Sequence, residues 1–178
     1  MKTLDELIKE RRSVRKYLDK PVEKEKIEAI LESARLSPSA CNAQPWRIVV
    51  VKEPGLRDDV LSKGLGGIVV PNSWAKTAPV ILVVCSETKF FTHSLGERVK
   101  NVQWHLLDIG ICMEHMALKA VELGLGTCYI GWFNEKEIRK ALQLPSSWKV
   151  ECLLTLGYPQ EIPEASPRKS LKEISIIK

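Results

Sequence analysis

Long apolar runs are missing from the sequence, and none approaches the roughly 20 residues needed to cross a bilayer. Aromatic residues are also scarce, at 6% of the chain, and no aromatic-rich RNA motif, zinc-finger spacing or helix-turn-helix context accompanies the net charge of +5. We therefore assign the charge to dispersed lysines on solvated helices and expect neither membrane nor nucleic acid as a partner. A basic nucleic-acid binder is the weakest of the alternatives that we keep.

Disulfide, metal and hydrolase patterns are absent as well. The five cysteines are odd in number and have no CxxC spacing, so we interpret them as reduced core residues: Cys41, Cys85, Cys112, Cys128 and Cys152. No two of the three histidines have the i, i+4 spacing of a helical metal site, and we expect no metal. There is no Ser/His/Asp or paired-carboxylate pattern and no G-x-G-x-x-G fingerprint.

The length and the first residues predict the organisation of the chain. A chain of 178 residues is comfortable as one domain, which we assign to 1–178. Asp5 and Glu6 lie where a secretory signal needs an apolar core, so we expect a cytoplasmic protein.

Helical and strand patterns alternate along the chain. Thr3 and Glu6 match a capping box for a first helix, and Asn134 is expected to cap a later one. The apolar patterns predict helices over 23–36, 56–65 and 98–123, strands over 46–51, 78–85, 127–130 and 150–156, and a strand-like terminus over 174–177 that needs a sheet edge. Gly64, with the glycines that follow it, argues for a loop after the short helix.

The helix predicted over 98–123 is apolar almost all the way round. A single domain of this size has limited room to enclose such a helix, so we expect a homodimer with this helix near its axis. The alternative is a central core helix within one chain.

Two segments suit a phosphorylated, planar ligand. Arg11, Ser13 and Arg15 alternate along the first and would present two guanidinium groups and a hydroxyl on one side. The second, over 37–46, is rich in small residues and proline and is predicted to be a loop because Pro38 disfavours helical geometry before it.

The order of these parts resembles the nitroreductase family of FMN-dependent oxidoreductases. The resemblance rests on RRSVRKY at 11–17, SPSACNAQPW at 37–46, the long apolar helix, GLGTCYIGWF at 124–133, LGYP at 156–159 and PRKSLKE at 167–173. It covers nearly the whole chain and implies an α/β (α+β) fold with a central, mainly antiparallel sheet flanked by helices. The family works as an intertwined homodimer with FMN in clefts at the interface.

The resemblance also implies a role for individual residues. Arg11 and Ser13 would contact the phosphate and ribityl chain, Arg12 would supply backbone, and Arg15 would reach the pyrimidine edge of the flavin. Arg168 and Lys169 would complete the phosphate site. The remaining predicted cofactor contacts are Pro38, Ser39, Ala40, Asn42 and Gln44 from the other subunit, and Ile130, Gly131 and Trp132 near flavin N5.

Several nominated residues have a plainer interpretation. The arginines would also suit a solvated basic turn, and Trp46 is assigned to the core. Cys41 and Cys128 are interpreted as small packing residues, since neither has an activating base in the sequence pattern. Asn72 is expected near the flavin edge, and Trp132 either shapes the substrate face or plugs the sheet.

The function that this implies is hydride transfer from NAD(P)H to a small electron-poor acceptor, a nitroaromatic or a quinone, by a ping-pong mechanism. No protein side chain would serve as the catalytic acid or base, with Arg15 tuning the flavin electrostatically. A dehalogenating or flavin-fragmenting enzyme is an alternative, disfavoured by the short lid over 60–76. A non-catalytic flavin-binding protein is another.

Overall fold

The computed structural model describes residues 2–66, 72–87 and 102–178. Its helices are α1 (Leu4–Glu10), α2 (Lys24–Arg35), α3 (Pro54–Leu65), α4 (Trp104–Glu122), α5 (Glu135–Ala141) and α6 (Leu171–Ile174). Its strands are β1 (Trp46–Val51), β2 (Val80–Ser86), β3 (Gly126–Ile130) and β4 (Lys149–Gly157), and short 3₁₀ turns span Ala40–Asn42 and Ser73–Thr77. The four predicted strands are confirmed, and the long helix begins at Trp104, with 98–101 outside the described residues.

The strands form one sheet in the order β1-β2-β4-β3, and every neighbouring pair is antiparallel. β2 is buried along its whole length because it lies inside the sheet and is covered on both faces. β3 lies at one edge, and the chain after α1 runs beside it. The predicted fold, a mainly antiparallel sheet flanked by helices, is confirmed.

Each face of the sheet carries its own hydrophobic cluster. On one face, α2 and α4 pack against alternate strand residues such as Leu82, Val84 and Leu154. On the other face, α3 and α5 cover the intervening residues, including Ile81, Val83 and Leu153. This alternation follows from the two-residue repeat of side chains along a strand. It places α4 on the face of the sheet that lies opposite α3 and α5.

Local chemistry explains where two of the helices begin and end. The Glu6 N–H donates to Thr3 Oγ1 at 3.3 Å and the Thr3 N–H donates to Glu6 Oε2 at 2.7 Å, which confirms the predicted capping box. The helix predicted over 56–65 is confirmed, and Gly64 lies in its last turn, so the loop that its glycine indicated does not begin there. A Cβ at Gly64 would come within 2.5 Å of Ile138, so glycine there lets α3 pack closely on α5.

Two further expectations need correction. Cys41 is exposed in a surface turn, unlike the other four cysteines, so it is not a core or packing residue. The strand expected over 174–177 does not form within one chain: Ile174 ends the one-turn helix α6, which the capping box of Ser170 and Glu173 starts, and the residues after it are exposed. None of the described helices is long and apolar enough to span a membrane.

Candidate functional site

Backbone hydrogen bonds hold residues 13–17 along the sheet edge. The Val14 N–H donates to the Thr127 carbonyl at 2.9 Å, and the Ser13–Thr127 pair forms a parallel bridge to β3. Val14 and Tyr17 are buried, and the Tyr17 hydroxyl lies 2.7 Å from the Val14 carbonyl and 2.6 Å from Thr155 Oγ1. With Val14 turned inward, the alternation of an extended backbone directs its neighbours Ser13 and Arg15 outward.

Arg11, Ser13 and Arg15, which we call the arginine row, gather around β3. Burial raises the pKa of the Cys128 thiol, while Arg15, a hydrogen bond with Ser13, and Arg11 oppose that rise. Ser13 pairs with Thr127 of β3, next to Cys128. Arg11 Nε also lies 3.8 Å from Glu114 Oε1 on α4. The alignment of these three residues on one side of the segment stays a prediction.

Four residues from two segments form the rim beyond the arginine row. The guanidinium of Arg15 lies 5.8 Å from the centre of the Trp74 ring. Asn72 Nδ2 lies 3.5 Å from the Trp132 carbonyl, so Asn72 reaches the end of β3. Trp132 is 63% exposed, which rules out the interpretation that it plugs the sheet within one chain. A Cβ placed on Gly131 would meet no atom within 4 Å. The rim is therefore open beside the row.

The loop over residues 37–44, which we call the Pro38 loop, has an unusual backbone. Cys41, Asn42 and Gln44 have φ values of 52°, 54° and 46°, in the left-handed region that side chains other than glycine rarely adopt. Such conformations persist only where the surroundings enforce them, and they concentrate at functional sites. Within the loop, the Gln44 N–H donates to Ser39 Oγ at 3.0 Å and Gln44 Nε2 lies 3.0 Å from Asn42 Oδ1.

Two side chains of α4 hold this loop. The Ala40 N–H donates to Asp108 Oδ1 at 2.9 Å, and Ser37 Oγ lies 2.8 Å from His115 Nδ1. Asp108 is only 3% exposed, and its Oδ2 has no hydrogen-bond partner among the described residues. Sequence reasoning missed both positioning residues. The only signal was a carboxylate and a histidine seven residues apart in an otherwise apolar helix, which places them on one face.

The arginine row and the Pro38 loop do not meet within one chain. Glu114, next to Arg11, and Asp108, next to the loop, lie on different sides of α4, because six residues turn a helix by about 600°. Between those sides runs an exposed apolar stripe that contains Leu107 and Ile111, which are 52% and 40% exposed. The two predicted halves of the site are therefore separated by uncovered apolar surface.

The other nominated residues take different positions. Trp46 is 9% exposed, and its predicted place in the core is confirmed. Ile130 is 2% exposed and is also buried. Arg168 is exposed on the terminal segment and donates to the Ser166 and Pro167 carbonyls, and Lys169 beside it is exposed as well. Among the described residues, neither makes a hydrogen bond or ion pair with the arginine row.

Comparison with known proteins identifies the class to which this arrangement belongs. The profile of the nitroreductase family matches residues 8–158, so the chain belongs to the nitroreductase family. A "Putative NADH dehydrogenase/NAD(P)H nitroreductase" of Archaeoglobus fulgidus is 31% identical over 159 residues, which cover 87% of this chain and 84% of that protein. An "FMN reductase [NAD(P)H]" of Bacillus subtilis is 28% identical, with 93% of this chain and 70% of that protein covered.

A solved structure shows the same fold. The crystal structure of a nitroreductase family protein from Clostridium difficile 630 superposes with a TM-score of 0.79 at 33% identity and covers 98% of each chain. The family and the fold implied by the sequence motifs are confirmed. The chain is thereby placed among NAD(P)H-dependent oxidoreductases of this family.

The residues present fit one end of FMN. The segment paired with β3 carries two guanidinium groups and a hydroxyl, and such donors suit a phosphate and the polar edge of a flavin. The adjacent Thr127 hydroxyl is buried and has no partner among the described residues. The space beside Gly131 leaves room for a ring system. The small residues of the Pro38 loop suit a flat face but lie elsewhere on the same chain.

Proposed function

We propose that the protein is an FMN-dependent oxidoreductase that takes hydride from NAD(P)H and passes it to a small electron-poor acceptor, a nitroaromatic or a quinone, by a ping-pong mechanism. The observation that carries this proposal is that backbone pairing holds the segment with Arg11, Ser13 and Arg15 against β3, next to open space at Gly131. When bound, FMN supplies hydride acceptance and donation at its N5 atom.

The residues of the chain bind and orient the cofactor. Arg11 and Ser13 hold the phosphate and ribityl groups, with the backbone at Arg12 alongside. Arg15 holds positive charge at the pyrimidine edge, which favours electron-rich states of the ring in a water-poor cleft. Ile130, Gly131 and Trp132 form the wall near N5, and the exposed Trp132 faces the substrate side.

The active species is a homodimer in which a second copy of the chain covers the apolar stripe on α4. Leu4 and Ile8 of α1 are also exposed, at 61% and 55%, so the uncovered surface continues beyond α4. Contiguous apolar surface of this kind marks interaction sites. The partner copy brings its Pro38, Ser39, Ala40, Asn42 and Gln44 to the arginine row.

The terminal segment serves the same assembly. Leu171, Ile174, Ile176 and Ile177 are each 65% exposed or more, which is unfavourable for large apolar side chains in an isolated chain. In the proposed dimer this segment packs on the partner and carries Arg168 and Lys169 to the phosphate.

The dimer is tested by light scattering after gel filtration. Replacing Leu107 or Ile111 with Glu places a charge in the apolar stripe and is expected to yield monomers that no longer retain FMN. Leu56→Glu is the matched control, because Leu56 is 39% exposed on α3, on the opposite face of the sheet. A dimer that survives both stripe variants would contradict this interface.

The reaction is tested by anaerobic titration of FMN-loaded protein with NADH or NADPH. We expect the bound-flavin absorbance to bleach and then to return on addition of a quinone or nitroaromatic. Steady-state double-reciprocal plots should give parallel lines. Tight FMN binding without bleaching would support a storage protein instead. Reduction that only a halogenated substrate reverses would support the dehalogenating alternative.

A further inference from the structure

Residues 11–17 contain three arginines. Two of them, Arg11 and Arg15, belong to the arginine row, whereas the side chain of Arg12 lies outside it. Its Nη1 donates to the carbonyls of Arg11, at 2.9 Å, and Lys9, which turns the guanidinium back toward the end of α1. The Nε–H is shielded from water and has no acceptor among the described residues. An unsatisfied buried donor of this kind is costly unless something else accepts from it.

A cavity of about 420 Å³ opens where Arg12 lies. It is lined by Lys2, Lys9, Glu10, Arg12, Val14, Val121, Gly124, Leu125, Gly126, Pro159 and Ile162. Its volume falls in the range of small-molecule sites in proteins. The side chains of Ser13 and Arg15, which carry the proposed flavin site, are not part of its lining.

The lining divides into an apolar part and a cationic part. Val14, Val121, Leu125 and Ile162 supply apolar surface from three separate segments. Lys2 is neutralised by its ion pair with Glu10. Lys9 and Arg12 remain, and neither has an ion-pair partner among the described residues. The cavity therefore combines an apolar wall with two uncompensated cations.

The backbone around the cavity is built for close approach. Gly124 has a φ of +74°, and a Cβ on Gly126 would come within 2.6 Å of Val14. The Leu125 N–H donates to the Ala120 carbonyl at 2.8 Å, which closes the end of α4. These contacts keep the cavity wall formed in the absence of any ligand.

We propose that this cavity is a second small-molecule site, distinct from the flavin site, that binds an apolar compound bearing one carboxylate or sulfonate. Lys9 and Arg12 hold the anionic group, and the Arg12 Nε–H gains the acceptor that it lacks. The apolar body of the ligand lies against Val121 and Leu125. The proposal does not depend on which electron acceptor the flavin site uses.

Calorimetric titration of the FMN-loaded protein with octanoate tests the proposal. We expect one octanoate per chain, at least tenfold weaker binding of 1-octanol, and no binding of octylamine. The flavin absorbance should not change during the titration. No binding of octanoate, equal binding of octanol, or a shifted flavin spectrum that places octanoate in the flavin cleft would each overturn the proposal.

Variants locate the site. Lys9→Gln alters a side chain that is exposed on α1, so folding is not at risk, and should weaken octanoate binding about threefold to tenfold by removing one charge contact. Val121→Trp fills the cavity and should abolish binding. Arg35→Gln is the charge-matched control outside the cavity and should bind normally. Normal binding by both Lys9→Gln and Val121→Trp would overturn the assignment of the ligand to this cavity.

Discussion

The arginine row and the Pro38 loop are positioned by different kinds of contact. The row stands on a segment that bonds to β3 through its backbone, as the Val14–Thr127 hydrogen bond shows. The loop depends on side chains of α4, chiefly Asp108, and keeps three non-glycine residues at positive φ. Changing a side chain in the row should therefore affect the ligand alone, whereas changing an anchor of the loop should affect both structure and ligand.

Arg11→Ala should give the largest loss of FMN affinity. A charge-assisted hydrogen bond contributes about 1.5–3 kcal/mol, so the Kd for FMN should rise about tenfold to a hundredfold. The melting temperature of the flavin-free protein should change little, because Arg11 pairs only loosely with Glu114. Fluorescence quenching of FMN measures the Kd, and Arg35→Ala is the control. A Kd within twofold of the original would remove Arg11 from the phosphate site.

Asp108→Ala should affect folding and binding together. Loss of the acceptor leaves the Ala40 N–H without its partner, and we expect the free energy of unfolding to fall by about 1–3 kcal/mol. FMN affinity should fall as well, since the loop loses its anchor. Urea denaturation and FMN titration measure the two effects. Asp108→Asn keeps an acceptor oxygen and should recover most of both, and failure to do so would indicate that the charge of Asp108, rather than its hydrogen bond, matters.

Arg15→Ala should separate chemistry from folding. Arg15 is exposed, and the contacts of its side chain among the described residues are the Trp74 ring and the Ser13 carbonyl, so the melting temperature should stay within a few degrees. The rate of anaerobic reduction by NAD(P)H should fall, because the positive charge beside the ring is lost. Stopped-flow absorbance measures that rate, and Arg15→Lys should preserve part of it. An unchanged rate in Arg15→Ala would refute the electrostatic role.

The smallest expected effect is a difference in thiol reactivity between the Pro38 loop and the arginine row. Cys41 is exposed in the Pro38 loop, whereas burial raises the pKa of Cys128 beneath the arginine row. In flavin-free protein, iodoacetamide should modify Cys41 at least about tenfold faster than Cys128. Added FMN should slow the reaction of Cys41. Mass spectrometry of tryptic peptides measures both, and equal rates in urea provide the control.

Periodic features of the sequence predicted the fold well because they reflect burial directly. The β-branched runs in 46–51 and 78–85 became β1 and β2, and the capping pattern at Thr3 began α1. Gly64 was misjudged because its reason is tertiary, namely the contact with Ile138, which no local pattern reveals.

Only one half of the candidate site could be predicted from the sequence, for a similar reason. Alternation along an extended segment predicts that Arg11, Ser13 and Arg15 share one side, and the pairing of that segment with β3 supports the extended backbone that this needs. The residues of α4 that hold the Pro38 loop could not be predicted, because Asp108 lies 68 positions from Ala40 in the chain. The cavity at Arg12 was equally hidden, since residues from both ends of the chain build it.

The central claim is that each flavin site takes its arginine row from one chain and its Pro38 loop from the partner. Co-expression of two differently tagged chains, one Arg11→Ala and the other Asp108→Ala, yields a mixed dimer that two affinity steps purify. If the site is shared between chains, one of the two sites contains neither substitution. FMN titration should then show one site per mixed dimer with the original affinity. No site of original affinity in the mixed dimer would contradict the claim, because each chain would then build its site alone.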